Sequence, residues 1–262
     1  MHPMLIRIGA WGLPTYGALI AAAYMSAIFW LKKKRQAMGL GEDEFWFLIY
    51  SIFFGAIAGG KLLYVIVEFR SFLSGELGFF RDFRYGFVFF GGFFGAFFMA
   101  LWAQRRLKFD RAKVFDYCAA ALPLGHAIGR LGCLASGCCY GKPTLLPWGV
   151  VLGGDPASTT PRELWGTPLH PTQLYESLAN LAIFAFLARW AISRAEAGLI
   201  KRGSVVILYI ILYSALRFTI EFWRGDDRGG WAGLSTSQWF GLFAGAVGLA
   251  ALARRGFWLR PA

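Results

Sequence analysis

The 262-residue sequence is short of charged residues, which make up 16% of it, whereas hydrophobic residues make up 57%. That balance excludes a water-soluble domain of this length. The sequence also lacks an internal repeat, a low-complexity tract and a glycine-rich linker that would separate a second, soluble domain. Glycine is instead scattered through the apolar segments, as expected where membrane helices pack through small residues. We therefore expect a single membrane domain over residues 1–262.

Seven apolar segments are long enough to cross a bilayer, which takes about 20 residues of helix. The first is not a cleaved signal peptide, because its basic residues follow the apolar run. The longest connection, 137–170, contains five prolines and is predicted to be an external lid or binding surface. The segments predict an all-α, polytopic fold with spans at 13–31, 45–67, 86–104, 114–132, 172–190, 204–223 and 237–253.

The net charge of +12 follows the predicted membrane topology. Basic residues cluster after the first, third, fifth and seventh spans, so the positive-inside rule predicts an external N-terminus and a cytoplasmic C-terminus. Topology alone accounts for these clusters, and nucleic-acid binding is not expected. The clusters are Lys32, Lys33, Lys34 and Arg35; Arg105, Arg106, Lys108, Arg111 and Lys113; Arg189, Arg194, Lys201 and Arg202; and Arg254, Arg255 and Arg260.

The fourth span contains His126 and Arg130, four residues apart and therefore on one helical face. Beside them Ala121, Gly125 and Gly129 form a small-residue stripe for a neighbouring helix. An arginine facing lipid costs about 3 kcal/mol or more, so Arg130 should face the bundle interior or a wet cavity. It either binds phospholipid phosphate at the interface or is a fixed anion clamp, since the guanidinium fork fits phosphate oxygens.

A polar stripe of Tyr213, Arg217, Glu221 and Arg224 follows one face of the sixth span to its external end. One interpretation is a structural ion pair between Arg217 and Glu221 that locks the helices. The other is ligand binding. Two arginines at similar depth, Arg130 and Arg217, indicate an anionic ligand between the fourth and sixth spans.

Three cysteines, Cys133, Cys138 and Cys139, follow Arg130 on the external side. The residues alone allow a disulfide, a zinc site that includes His126, or a nucleophile. Their spacing matches no common zinc pattern. We therefore favour a structural role or a disulfide, and we predict no metal and no cofactor.

Other polar residues are also predicted near the external leaflet. Lys61, in the outer half of the second span, either snorkels to the headgroups or has a function. His170, Gln173 and Glu176, where the fifth span begins, either cap its helix or belong to a site.

Together these motifs resemble the prolipoprotein diacylglyceryl transferase family. The resemblance implies a bacterial inner-membrane enzyme with seven spans and an active site facing the periplasm or cell exterior. It implies transfer of diacylglyceryl from phosphatidylglycerol to the lipobox cysteine thiol of a prolipoprotein, with release of glycerol phosphate. The matching segments are Tyr16-Gly17, Gly59-Gly60-Lys61-Leu62-Leu63-Tyr64, Gly91-Gly92, the signature from Gly129-Arg130-Leu131-Gly132 to Gly141, His170-Pro171-Thr172-Gln173-Leu174-Tyr175-Glu176, and Tyr213 to Arg224.

With this resemblance, Arg130 and Arg217 are expected to hold the phosphate and stabilise charge on the departing group. The other predicted catalytic residues are His126, Glu221 and Tyr213. The predicted substrate-binding residues are Tyr16, Lys61, Gly141, His170, Gln173, Tyr175 and Arg224.

The sequence departs from the family pattern in two places. Phe90 replaces the histidine that many members carry before the paired glycines of the third span. Cys133, Ser136 and Cys138 replace asparagines and an acidic residue. His126, one turn before Arg130, is therefore our candidate for the base that helps ionise the substrate thiol, whose free pKa is about 8.5.

Two other functions remain open. The departures allow a paralogue that uses the same anionic-lipid site with a different acceptor. A small membrane transporter or lipid-binding protein is less favoured, because the polar residues gather at one face and no paired broken helices are evident.

Overall fold

The computed structural model describes residues 2–9, 11–77, 86–226 and 229–257, so the basic residue Arg260 lies outside the described part. The fold is mostly helical, at 69%, without a closed sheet among the described residues, which confirms the predicted class in its coarse form. The helices are α1 (Thr15–Met38), α2 (Glu42–Val67), α3 (Phe69–Leu73), α4 (Phe89–Leu107), α5 (Arg111–Ser136), α6 (Thr172–Phe186), α7 (Ile192–Glu196), α8 (Ser204–Ile220) and α9 (Thr236–Arg255).

Short irregular helices and hairpins connect these elements. A π-helical turn, Leu187–Ala191, joins α6 to α7, and a 3-10 turn, Glu221–Trp223, continues α8. Another 3-10 turn covers Arg162–Leu164. Three antiparallel pairs are formed by β1 (Met4–Ile8) with β2 (Trp11–Pro14), β3 (Val150–Val151) with β4 (Pro168–Leu169), and β5 (Gly230–Trp231) with β6 (Leu234–Ser235).

Each of the seven predicted spans contains a helix. Within the described residues, five helices are long and apolar enough to cross a membrane. Helices α1 and α4, at the first and third predicted spans, are not among them. The five are Glu42–Val67, Arg111–Ser136, Thr172–Glu196, Ser204–Trp223 and Thr236–Arg255.

The chain divides into two compact units, Lys34–Val114 and the remainder, Met1–Lys33 with Phe115–Ala262. In the first, α2 and α4 approach each other at glycines: a Cβ on Gly59 would lie 2.3 Å from the carbonyl oxygen of Gly91. Lys61 also belongs to this unit. Its side chain is buried, with Nζ 5.1 Å from the ring centroid of Tyr64 and 5.5 Å from that of Phe87. The two interpretations of Lys61, snorkelling to the headgroups or a function, both stay predictions.

In the second unit, Gly125 and Gly129 of the small-residue stripe of α5 face α1, where the sequence predicted an unspecified neighbouring helix. A Cβ on Gly129 would lie 3.5 Å from Ile20, and a Cβ on Gly125 would lie 3.9 Å from the carbonyl oxygen of Ala23. At these distances a Cβ added at either glycine would make an ordinary van der Waals contact with α1. The stripe fixes which face of α5 points at α1, and therefore which face is left for its polar residues.

A buried carboxylate on the second turn of α5 joins this helix to the first turn of α8. Asp116 of α5 accepts hydrogen bonds from the backbone N–H of Gly203 (2.6 Å) and of Val206 (3.0 Å). Helix α8 has no side-chain cap from its own N-cap residue, Gly203. Asp116 therefore caps α8 from another helix and satisfies amides that would otherwise lack partners.

The segment 137–170, which is predicted to be external, is held to the end of α5 by Thr159, whose N–H and hydroxyl donate to the carbonyl of Ser136 at 2.9 and 3.0 Å. Leu152 and Leu169 are fully buried, next to the β3–β4 pair. The Thr160 hydroxyl donates to the carbonyl of Gly137 at 2.8 Å, and the Trp165 indole donates to the carbonyl of Thr160 at 3.0 Å. Its predicted role as a lid or binding surface stays a prediction.

Candidate functional site

The centre of the site is the carboxylate of Glu176, on the second turn of α6. Its Oε2 lies 2.5 Å from Nε of Arg130 on α5. Its Oε1 accepts from Arg217 on α8 at 3.2 Å and from Arg224, just beyond α8, at 3.1 Å. One buried carboxylate thus contacts three arginines, one from α5 and two from α8 and the turn that follows it.

Two of the three arginines have a second acidic partner. Arg217 lies 2.9 Å from Oε2 of Glu221, which confirms the predicted pair, and Arg224 lies 2.8 Å from Asp226. Among the described residues, Glu176 is the acidic partner that Arg130 contacts. The three carboxylates match the three guanidinium groups in charge, as burial of such a cluster requires.

The exposure of the three arginines separates their roles. The side chains of Arg130 and Arg217 are 19% and 12% exposed, whereas that of Arg224 is 2% exposed. Arg217 also donates to the hydroxyl of Ser237 at 3.1 Å. Arg130 and Arg217 therefore keep some exposed surface, while Arg224 is enclosed by the residues it contacts.

His126 and Tyr213 are adjacent, and their predicted catalytic roles stay predictions. The His126 ring lies 5.2 Å from that of Tyr213, and its Nδ1 is 3.5 Å from the hydroxyl of Tyr209. The two tyrosine rings stack at 5.6 Å. This group connects α5 to α8 one turn below Arg130, towards the start of α5.

The first turn of α6 binds the chain after α5 instead of capping its own helix. The N-cap residue is Pro171, and no side chain caps the helix, so the capping interpretation is wrong. The Thr172 hydroxyl donates to the carbonyl of Cys139 at 2.8 Å, and the Gln173 amide donates to the carbonyl of Cys138 at 2.7 Å. Gln173 is fully buried, and its Oε1 has no hydrogen-bond partner among the described residues.

Helix α5 ends in a Schellman motif, which explains how two cysteines five residues apart become neighbours. Gly137 is left-handed, with φ of 80°, and its N–H donates to the carbonyl of Leu134 at 3.2 Å. The N–H of Cys138 donates to the carbonyl of Cys133 at 3.1 Å. This motif commonly brings the side chains at its two ends together.

Cys139 completes a cluster of three sulfur atoms. It is also left-handed, with φ of 62°, and the Sγ atoms of Cys133, Cys138 and Cys139 all lie within 4.8 Å of one another. Hydrogen bonds from the Cys133 and Cys138 thiols, and from Arg224, hold the pKa of Cys139 below that of an ordinary thiol. The structure joins none of the four cysteines in a disulfide, so the predicted disulfide is not confirmed.

Gly141 lies where two chain segments cross. Its N–H donates to the carbonyl of His170 at 3.1 Å, and it pairs in a β-bridge with Arg224. A Cβ on Gly141 would lie 2.5 Å from both Cβ and the carbonyl oxygen of His170, and 2.8 Å from the carbonyl oxygen of Trp223. No side chain fits there, so glycine is required for the crossing.

The other predicted binding residues surround this crossing or lie elsewhere. The hydroxyl of Tyr175 is 3.4 Å from Nδ1 of His170 and accepts from the indole of Trp148 at 2.7 Å. Tyr16, on α1, is 43% exposed and packs over Gly132 of α5. Lys61 belongs to the Lys34–Val114 unit described above.

The main residue that our sequence analysis left out of the site is Glu176. The sequence allowed Glu176 to cap the helix or to belong to a site, but Glu176 was not among the predicted catalytic or substrate-binding residues. A signal for it was present: Arg130, Arg217 and Arg224 carry three positive charges into apolar segments that contain few acidic residues. Buried cations need paired anions, so each carboxylate near them is a candidate partner.

Comparison with known proteins gives a consistent result over nearly the whole chain. The family model for prolipoprotein diacylglyceryl transferase matches residues 3–254. A phosphatidylglycerol–prolipoprotein diacylglyceryl transferase of Clostridium tetani is 34% identical, over 95% of this chain and 96% of the relative. One of Clostridium perfringens, numbered 2, is 32% identical over 87% of this chain and 86% of the relative. A phosphatidylglycerol–prolipoprotein diacylglyceryl transferase of Geobacter sulfurreducens is 31% identical over 87% of this chain and 84% of the relative.

Proposed function

Because the chain belongs to the prolipoprotein diacylglyceryl transferase family, we propose that it transfers diacylglyceryl from phosphatidylglycerol to a prolipoprotein cysteine. The cysteine sulfur forms a bond to the glyceryl carbon, and the bond between that carbon and the phosphate oxygen breaks. Glycerol phosphate leaves with the electron pair. The observation that carries the proposal is the family match together with the arginine cluster on Glu176.

Arg130 and Arg217 are the residues we assign to the phosphate of the donor. They are the two arginines of the cluster that keep some exposed surface, and they approach Glu176 from different helices. Guanidinium groups bind phosphate oxygens through paired hydrogen bonds. Charge that develops on the departing phosphate would be stabilised by two fixed cations in a site that largely excludes water.

Glu176, Glu221 and Arg224 position these two arginines. Glu176 contacts all three guanidinium groups, and Glu221 holds Arg217 from one turn further along. Arg224 is enclosed, so we assign it to the framework that shapes the substrate site. A preorganised cluster of this kind needs little rearrangement when the phosphate gains charge.

His126 and Tyr213 are assigned to the acceptor thiol, which must lose a proton before it attacks. Their rings are adjacent, and His126 is the histidine nearest in sequence to Arg130. If His126 accepts that proton, then His126→Ala should slow transfer by about 100-fold or more. An unchanged rate, measured where chemistry limits turnover, would remove His126 from the reaction.

The remaining predicted residues are proposed to bind substrate. Gly141, His170, Gln173 and Tyr175 shape the turn beside the cysteines, and Tyr16 is exposed on α1. Lys61 is retained as a substrate-binding proposal in its own unit. The external segment 137–170 is proposed to form part of the surface that receives the prolipoprotein.

We also propose the finer topology: seven spans, an external N-terminus, a cytoplasmic C-terminus and an active site that opens outwards from the bacterial inner membrane. The support is the distribution of basic residues after alternate spans. Labelling of single cysteines introduced at Gly39 and Gly154, in a variant without native cysteines, tests this orientation. A membrane-impermeant thiol reagent should label Gly154→Cys in intact cells, and Gly39→Cys should react after permeabilisation.

The test of function uses the purified full chain in detergent with phosphatidylglycerol and a lipobox peptide. Mass spectrometry should show the peptide gaining one diacylglyceryl group as glycerol phosphate is released. Arg217→Lys should reduce transfer by about 100-fold, since lysine loses the fork geometry. Arg194→Lys is the matched control, because Arg194 lies over the Trp190 ring, away from the cluster.

Two outcomes would contradict the proposal. No turnover of phosphatidylglycerol by well-folded protein would exclude the transferase reaction. Release of glycerol phosphate without modification of the peptide would favour the paralogue, which uses the same lipid site with a different acceptor.

A further inference from the structure

We infer that the thiols of Cys133, Cys138 and Cys139 bind one zinc ion, whose open fourth position takes the sulfur of the acceptor cysteine. The inference rests on the proposed transfer reaction and adds to it a means of ionising the acceptor. The cluster of these three residues is called the thiol site below.

The geometry of the thiol site is close to that of a zinc centre. Its three Sγ atoms already lie within 4.8 Å of one another. Around a tetrahedral zinc with Zn–S bonds of about 2.3 Å, sulfur atoms are about 3.8 Å apart. Small rotations about the side-chain bonds therefore bring the three thiols to a common ion without moving the backbone.

The backbone that carries the thiol site is held from two directions. The Schellman motif ties Cys138 to Cys133 through their 3.1 Å hydrogen bond. From α6, Thr172 and Gln173 bind the carbonyls of Cys139 and Cys138 at 2.8 and 2.7 Å. Ligands fixed before the metal arrives lose little freedom when it binds.

The ligand set favours zinc and leaves one position open. Thiolates select soft cations and disfavour magnesium or calcium. Within the described chain, no histidine, aspartate or glutamate joins the three thiols in this group. Three protein ligands plus an exchangeable position is the arrangement of catalytic zinc, whereas structural zinc has four protein ligands.

The thiol site lies next to the arginine cluster. Cys133 follows Arg130 by one helical turn, about 4.5 Å along α5. Arg224 donates a hydrogen bond to the sulfur of Cys139. The acceptor sulfur and the donor phosphate would therefore be held side by side.

The chemical step balances without an oxidant or reductant. When the acceptor thiol joins the zinc ion, its proton passes through water to His126, the proposed base, and its sulfur becomes a thiolate. The thiolate electron pair forms the bond to the glyceryl carbon, and the carbon–oxygen bond breaks towards the phosphate. The thioether is a weak ligand and leaves the zinc ion, which is unchanged. A free thiol with a pKa of about 8.5 is only about 3% ionised at pH 7, so zinc would increase the reactive fraction about 30-fold.

Metal binding is tested on the purified full chain. Elemental analysis should find about one zinc per chain in wild type and in Cys118→Ser, and much less in Cys133→Ser or Cys138→Ser. Cys118 is the matched control, because it is on the same helix outside the thiol site. Cobalt should replace zinc and give a thiolate-to-cobalt absorption band that changes when the lipobox peptide is added. The band verifies the site even where a serine variant folds poorly.

Activity gives a second readout. Removing zinc with a chelator should lower transfer about 30-fold at pH 7, and added zinc should restore it. Zinc-loaded enzyme should show a nearly flat rate between pH 6 and pH 8, whereas a free acceptor thiol gives about a tenfold rise per pH unit in that range.

Three results would overturn the inference and leave the proposed transferase standing. The first is full transfer by metal-free protein. The second is a cobalt absorption band that does not change when the lipobox peptide is added. The third is a disulfide between two of the three cysteines in active enzyme. If the zinc-loaded protein transfers nothing to any thiol, the proposed function itself fails, and the catalytic role of zinc fails with it.

Discussion

Replacing Glu176 with glutamine would test whether the arginine cluster depends on charge balance. The substitution keeps the size of the side chain and its capacity to hydrogen-bond, but removes the negative charge that contacts Arg130, Arg217 and Arg224. Glutamine also presents one donor group to guanidinium groups that are themselves only donors. The cluster would then have one positive charge in excess.

The structure shows which arginine is left with the excess positive charge. Arg217 keeps Glu221 and Arg224 keeps Asp226, whereas Arg130 loses its acidic partner among the described residues. Breaking a buried ion pair costs about 3–5 kcal/mol. Because Arg130 is 19% exposed, we expect the lower end, about 3 kcal/mol. At about 2–4 °C per kcal/mol, the melting temperature should fall by about 6–12 °C.

Thermal unfolding in detergent, followed by tryptophan fluorescence, measures this change. Glu196→Gln is the matched control, since Glu196 is exposed and lies outside the arginine cluster, and its carboxylate accepts a hydrogen bond from Tyr117 at 2.9 Å. It should cost less than about 1 kcal/mol. Phosphatidylglycerol should stabilise Glu176→Gln more than wild type, because the lipid phosphate replaces the missing anion.

A double variant separates the loss of stability caused by the unpaired charge of Arg130 from the other effects of the substitution. Adding Arg130→Gln to Glu176→Gln removes the unpaired cation and should recover part of the lost stability. The reasoning is refuted if Glu176→Gln melts within about 1 °C of wild type, or if the double variant is no more stable than the single one.

Three further predictions concern other parts of the chain. Gly141→Ala should abolish transfer and lower stability by about 1–3 kcal/mol or more, because its Cβ would clash with His170; transfer and melting assays measure both. Gly59→Ala should destabilise its unit by a similar amount through the contact with Gly91, measured by urea or thermal unfolding. His126→Ala should slow transfer without a comparable loss of stability, measured as a rate under chemistry-limited conditions.

Gly17→Ala is the control for both glycine variants. A Cβ on Gly17 would meet nothing within 4 Å, and alanine favours helix over glycine. This variant should be as stable as wild type or more so. A similar loss in Gly17→Ala would show that the steric argument is wrong at Gly141 and Gly59.

Local periodicity accounts for what the sequence predicted correctly. A four-residue spacing puts Arg217 beside Glu221 on one face of a helix, and the structure places them 2.9 Å apart. The same rule identified the small-residue stripe of α5, although its partner, α1, lies about 100 residues earlier in the sequence. Each of the seven apolar segments contains a helix, because long apolar runs specify little else, and five of the described helices are long and apolar enough to cross a membrane.

Contacts between segments that are far apart in the sequence account for the features that the sequence did not predict. Glu176 is 41 residues from Arg217 and 48 from Arg224, and no spacing rule connects them. The cysteine cluster depends on the left-handed turn at Gly137 and on two hydrogen bonds from α6. Metal patterns read from spacing do not include this turn, so a zinc site at the three cysteines was not favoured from the sequence.

The cap that Asp116 provides to α8 gives the two helices a common starting point. Arg130 follows Asp116 by 14 residues, and Arg217 follows Gly203 by 14 residues. At about 1.5 Å per residue, both arginines stand about 21 Å from the cap and reach Glu176 at the same level. Adding or removing one residue in either interval would rotate an arginine by about 100° and shift it by 1.5 Å. The site therefore constrains the length of these helices, and relatives that keep it should vary in their loops while preserving both intervals.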